Sequence, residues 1–264
     1  MKQTSDTSFE PDWLSLREPA DHAARDTALL ERAGLELAAG ATVLDLGSGT
    51  GSTARAFSAA GFQDVSWRFY DQDRGLLQIA EAQFPGAQCI TSDIAIIESL
   101  AFDDVDLITA SALFDLMSEE WITTLMVRAE KYNLPIYAAL TYNGAMRWTP
   151  ADPRDDKVVD AFNAHQRRDK GTGAALGPIA ADTFARIAKA RGWRVSTAES
   201  PWQLDPTHTD LQVKLVEGIA KAADEAGAND ALPWGKQRGA NCGATMVVGH
   251  TDVFAIPGQP YEFA

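Results

Sequence analysis

The sequence of 264 residues holds only two cysteines, Cys89 and Cys242, and no C-x-x-C pair. That excludes a disulfide-framework fold, and two thiols in a reducing compartment fit better than a lone bridge. Histidine is sparse as well. His22, His165, His208 and His250 are scattered without ligand spacing to cysteine or to one another, so no metal site is expected, although a site built of aspartates stays open. No apolar run reaches the roughly 20 residues needed to span a bilayer, and the first residues lack the apolar core of a signal peptide. A cytoplasmic protein is the expectation. Basic residues are also few: 23 Lys and Arg stand against 37 Asp and Glu, giving a formal net charge of −14. A partner with a phosphate backbone calls for a basic face, and no basic run here exceeds Arg167-Arg168, so nucleic acid is a poor partner.

What the chain does have is an apolar run, Ala41 to Leu44, that reads as a buried strand and runs into Asp45-Leu46-Gly47-Ser48-Gly49-Thr50-Gly51-Ser52. Thr53 to Ala60 then reads as a helix stopped by Gly61. Strand, glycine turn and helix start form a ligand cradle, because glycine lets backbone approach a ligand and the helix end offers free N–H groups. The register, Gly47-x-Gly49-x-Gly51, is not the G-x-G-x-x-G of dinucleotide sites.

The rest of the chain alternates. Trp13 to Leu37 reads as helical, with Pro19 at a helix start; residues 1–12 read as a loose arm. Strands are expected at 65–70, 87–91, 105–113, 134–142, 193–198 and 244–256, with helices at 76–84, 118–131, 156–166, 181–191 and 211–226. The segment around Trp234-Gly235-Lys236 reads as a loop. These elements imply an α/β, doubly wound, seven-stranded and mostly parallel sheet, whose ligands sit at the carboxyl ends of the strands. The domain reading is a helical segment, 1–40, followed by one domain, 41–264, with insertions near 143–178 and 200–243. Asp45, Asp71, Asp93 and Asp115 all follow expected strands. Asp71 lies about twenty residues past the glycine turn, where a ribose-binding acid falls in nucleotide-binding units, while Asp73 suits a helix N-cap.

The glycine turn with Asp45 before it, Tyr70–Asp73, Ser92–Ile94 and Val105–Asp115, in that order and spacing, resemble class I S-adenosylmethionine (SAM) dependent methyltransferases. The resemblance covers roughly residues 41–142 by motif. It implies the Rossmann-like fold with an antiparallel last strand, and SAM as cofactor. Carried over residue by residue, it implies cofactor contacts at Asp45, Gly47, Ser48, Gly49, Gly51, Asp71, Gln72, Asp93, Ile94 and Ser111, with Arg17 from the N-terminal helix near the carboxylate. Methyltransferases acting on nucleic-acid amino groups carry Asn or Asp, then Pro-Pro and an aromatic, after the fourth strand; this chain has Ser111-Ala112-Leu113-Phe114. A metal-independent enzyme for a small-molecule acceptor is therefore expected, with no membrane partner.

Methyl transfer is an in-line displacement helped mainly by alignment and exclusion of water, so a base matters only when the acceptor must lose a proton. Asp115, Tyr142 and His165 are the catalytic candidates; Gln166, Asp169 and Lys170, in a segment too long for an ordinary connection, are candidates for the acceptor site. Gly171-Thr172-Gly173 and Gly177-Pro178 could hinge that segment as a lid. Two other readings compete. One is a SAM-binding sensor or assembly protein without catalysis. The other is an NAD(P)-dependent oxidoreductase, which would want G-x-G-x-x-G and, in the short-chain type, Tyr-x-x-x-Lys; neither occurs.

Overall fold

Two helices open the structure, a computed structural model that describes residues 10–240 and 244–258. They are α1 (Pro11–Ala24) and α2 (Thr27–Leu35), separated by Arg25-Asp26, where Asp26 caps α2 by accepting from the Leu29 N–H. Pro19 lies inside α1 and does not start it; the start falls at Pro11, whose missing N–H costs nothing in a first turn. The expected arm is thus helical from Pro11, and residues 1–9 lie outside the described ones, as does Cys242.

Five strands and three helices then follow in the expected order. They are β1 (Ala41–Leu46), α3 (Ser52–Ala59), β2 (Val65–Asp71), α4 (Arg74–Gln83), β3 (Gln88–Thr91), β4 (Leu107–Ser111), α5 (Glu119–Lys131) and β5 (Ile136–Thr149). Ser118 caps α5 through the Trp121 N–H, and Asp73 caps α4 by accepting from Gly75 and Leu76, as read from the sequence. The second half comprises α6 (Asp155–Gln166), α7 (Ala180–Ala190), β6 (Arg194–Glu199), β7 (Trp202–Leu204), α8 (Thr209–Glu225), α9 (Ala231–Ala240) and β8 (Thr245–Ile256).

The strands form one sheet in the order β3-β2-β1-β4-β5-β8-β6, with β7 paired to β8 beside that path. β1 through β5 pair in parallel, and β8 runs antiparallel to both β5 and β6. The antiparallel last strand is as expected, but the described sheet has eight strands, not seven. Alternation along the strands divides the core. Leu44, Leu46, Ile108 and Ala138 pack with α5 and α7, while Val43, Phe69, Leu107 and Tyr137 pack with α2, α3 and α4.

A third apolar cluster lies beyond the sheet's edge. β5 does not stop at Tyr142 but continues to Thr149 against Val248–Thr245 of β8, after register shifts between Ala138 and Thr141 and between Tyr142 and Met146. This extension carries Met146 and Trp148 into a cluster with Trp202, Trp234, Val216 and Ile219. The segment expected to be an insertion from residue 143 thus begins as sheet. Around Trp234 the chain is helical, in α9. Trp234 is fully buried, and a Cβ on Gly235 would come within 2.5 Å of the Ala220 Cβ, so glycine here permits close contact between α8 and α9.

Candidate functional site: a cavity at the carboxyl ends of the strands

The glycine turn leaves β1 with three residues in left-handed conformations: Gly47 at φ +63°, Gly49 at φ +52° and Gly51 at φ +85°. A Cβ on Gly47 would press on Leu113 at 3.3 Å, and one on Gly49 would press on Leu14 of α1 at 3.2 Å. Backbone strain and space both call for glycine. Above this turn lies a cavity of about 350 Å³. Its floor is the turn Gly47–Thr50 with the first residues of α3, and Asp71 and Asp93 border it from the ends of β2 and β3. Its far wall is Ser111–Leu113 with Leu116 and Met117, and its cover is Leu14, Arg17 and Asp21 of α1 with Lys170 and Thr172.

Asp71 is the most engaged of the acids. Its Oδ2 accepts from the Gly49 N–H at 2.8 Å and its Oδ1 from the Asp73 N–H at 2.9 Å, so it ties the glycine turn to β2 while facing the cavity. Burial raises its pKa, and the backbone donors of Asp73 and Gly49 pull against that rise. Asp93 turns its own loop by accepting from the Ala95 N–H, and the Ile94 carbonyl accepts from the Trp121 indole at 2.8 Å. Both residues line the cavity together with Gln72.

Asp45 does not line it. The side chain lies under the floor, fully buried, with Oδ1 accepting from Thr109 at 2.7 Å and Oδ2 without a hydrogen-bond partner. Burial pushes its carboxyl up to about 7, against the pull of Thr109 and Arg25. Gly51 is likewise behind the wall, with Phe84 and Ala80 beside it. Ser111 does reach the cavity, and its hydroxyl accepts from Arg25 at 3.0 Å. Arg17 also reaches it, held by Asp21 through two bonds of 2.9 and 3.0 Å and stacked on Trp202 at 5.1 Å.

The candidates for the acceptor side divide sharply. Lys170 lines the cavity, whereas His165, Gln166 and Asp169 do not. His165 Nε2 lies 3.1 Å from Glu225 of α8, and burial lowers its pKa. Gln166 packs against Gly177. Asp169 closes its own turn by accepting from the Gly171 and Gly173 N–H groups. That turn is anchored to the segment after β4: the Ser118 N–H donates to Thr172, and the Leu176 N–H to the Met117 carbonyl. The result is a built platform that presents Lys170.

Neither Asp115 nor Tyr142, both expected to act on the acceptor, lines the cavity; Asp115 sits just behind Leu116 and Met117, nine-tenths buried, with Oδ1 unpartnered. Burial pushes its carboxyl up to about 6, offset partly by Arg17, the Tyr142 N–H and Lys170. Tyr142 is next to it. Burial and the Asp115 charge raise the pKa of this phenol, which donates to Asn163 at 2.8 Å. His250, opposite Tyr142 in the sheet register, was not singled out by sequence reasoning. It is buried, with Nδ1 unpartnered and its pKa pushed down to about 4 by burial and Arg17. Nothing local marks it, because its environment comes from strand pairing. Asp21, also missed, had one signal: it lies four residues after Arg17 on a helix.

No protein-family profile matches the chain, and no curated protein matches it. Solved structures do. A cyclopropane-fatty-acyl-phospholipid synthase-like protein from Lactobacillus casei superposes with a TM-score of 0.57 at 11% identity, over 91% of this chain and 99% of that one. The cyclopropane synthase MmaA2 from Mycobacterium tuberculosis gives a TM-score of 0.52 at 14% identity, over 94% of each chain. A Haemonchus contortus phosphoethanolamine N-methyltransferase 2, solved with S-adenosylhomocysteine, gives 0.49 at 16% identity; 88% of this chain is covered, and it spans about half (52%) of that one. The chain has the class I methyltransferase fold. No described helix is long and apolar enough to cross a membrane.

Proposed function

We propose that the protein transfers a methyl group from SAM to a small-molecule acceptor. The observation that carries this reading is the cavity over Gly47–Thr50, bordered by Asp71 and Asp93 and covered in part by α1. The residues fit the cofactor. The turn cannot accept a Cβ without crowding Leu113 or Leu14, so backbone is the contact surface. The start of α3 offers unpaired N–H groups to a carboxylate. Asp71 is the acceptor for the ribose hydroxyls; Asp93 and the Ile94 backbone face the adenine end, with Gln72 beside them. Arg17 and Ser111 lie toward the methionine end. Asp45, under the floor, acts through the turn it supports.

SAM supplies an activated methyl group when bound. The chain then has to hold the acceptor in line, keep water out and, for an acceptor bearing a proton, let that proton leave. Leu14, Leu113, Leu116 and Met117 provide the apolar enclosure. Asp115 lies behind Leu116 and Met117, outside the cavity lining, so an acceptor proton passes to solvent and Asp115 acts through the wall it supports. Tyr142 orients Asp115 through its backbone N–H. His165, bound to Glu225 away from the cavity, positions α6 against α8.

Calorimetry with SAM, S-adenosylhomocysteine, NAD and NADP tests the reading. Binding of the first two and not the last two is expected. NAD binding without SAM binding would overturn it, and SAM binding with no methylated product from any metabolite panel would favour the sensor alternative.

A further inference from the structure

Two arginines near the cavity are matched within the fold. Arg17 is neutralised by Asp21. Arg55 is held by Glu18 and by the Thr50 carbonyl. Lys170 is different. It lines the cavity and has no hydrogen bond or ion pair among the described residues, in a chain whose acids outnumber its lysines and arginines by 37 to 23. Its place is not that of a loose surface side chain. The turn carrying it is closed by Asp169 onto two glycine N–H groups, bridged from Asp169 to Ala174, and fastened to Ser118 and Met117. Those anchors follow β4, so Lys170 stands on the Asp115 side of the cavity, away from the α3 start where a cofactor carboxylate has its own backbone donors. Asp115 feels the Lys170 charge and has an unpartnered buried oxygen of its own. An unmatched cation therefore stands at the end of the cavity that Asp115 backs from behind Leu116 and Met117.

We propose that the methyl acceptor is a small anion, whose carboxylate or phosphate seats on the Lys170 ammonium. This rests on the methyltransferase reading and gives it a substrate class. As the acceptor heteroatom bonds to the methyl carbon, the electron pair of the broken bond stays on sulfur and an acceptor proton is released to solvent. A neutral analogue would leave the ammonium unpaired in a half-enclosed space, which is a penalty against it.

The test is a matched panel with methyl-labelled SAM and mass detection: 4-hydroxybenzoate, 4-aminobenzoate, serine and phosphoethanolamine, each beside a neutral partner in which the carboxylate is a carboxamide or the phosphate is absent. Products from anionic members and not from their neutral partners are expected. For the acceptor found, Lys170→Met should raise KM by about tenfold or more with kcat little changed. S-adenosylhomocysteine affinity, read by calorimetry without any acceptor, should stay at the wild-type value. Product only from neutral members, or bound S-adenosylhomocysteine with no product from any anion, overturns the inference. A large loss of S-adenosylhomocysteine affinity in Lys170→Met also overturns it, because the lysine would then serve the cofactor. Failure of the wild-type protein to bind S-adenosylhomocysteine at all would instead overturn the methyltransferase reading.

Discussion

The cradle built from residues 41–142 and the roof built from 143–240 solve different problems with different means. In the cradle, most features are made locally, as a strand end, a left-handed glycine or a helix cap, and Asp71 adds one longer link back to the Gly49 N–H. The acids that border the cavity there hold backbone N–H groups of their own turns, as Asp71 and Asp93 do. In the roof, stability comes from partners far apart in sequence. Asp155 at the start of α6 takes the Trp234 indole at 2.8 Å and the Arg238 guanidinium at 2.5 and 2.7 Å, with all three side chains withdrawn from water. A local device tolerates change around it, whereas a long-range network fails as a whole.

The sharpest way to break that comparison is Asp155→Ala. It leaves Arg238 buried without its counter-charge and should cost about 3–5 kcal/mol in urea unfolding. A cost within the range of a surface substitution would mean that the roof does not depend on this network.

In the cradle, the buried charge to test is Asp45. Its carboxyl is held above the ordinary 3.8, up to about 7, so the fold favours the protonated form. Ionisation therefore costs the native state stability as pH rises from about 4 through about 7, by about 4 kcal/mol at most. Asp45→Asn lacks this loss, so wild-type stability should fall relative to the variant across that window and stay parallel above it. Parallel curves throughout would show that Asp45 is not held protonated.

Smaller effects separate two neighbouring acids. Asp71→Ala should weaken S-adenosylhomocysteine binding by about 1.5–3 kcal/mol, as charged hydrogen bonds to the ribose would require. Asp73→Ala should leave binding near normal and cost about 1 kcal/mol of stability as a lost cap. Calorimetry and unfolding on both variants decide the assignment, and a reversed pattern would put the ribose on Asp73.

The same contrast explains what the sequence let one read. The β1–α3 unit, the cap at Asp73 and the parallel order of the first five strands were legible because periodicity, glycine and capping residues act locally. β7 was not, being three residues long and defined only by its pairing with Met246–Val248 of β8. Pro233 and Gly235 disguised α9 as a loop, since the packing of Trp234 and the close approach of α8 outweigh helix propensity. On the acceptor side the local reading was least informative. Four consecutive-looking candidates, His165, Gln166, Asp169 and Lys170, end up in different surroundings, because a helix end and a tight turn send their side chains apart.

One arginine joins the cover of the cavity to its floor. Arg55 of α3 grips Glu18 of α1 at 2.5 and 2.6 Å and, with the same guanidinium, holds the Thr50 carbonyl in the glycine turn at 2.6 Å. Lifting α1 away would break bonds made by the same guanidinium that holds the turn, so a side chain outside the cavity lining ties the position of the cover to the shape of the floor.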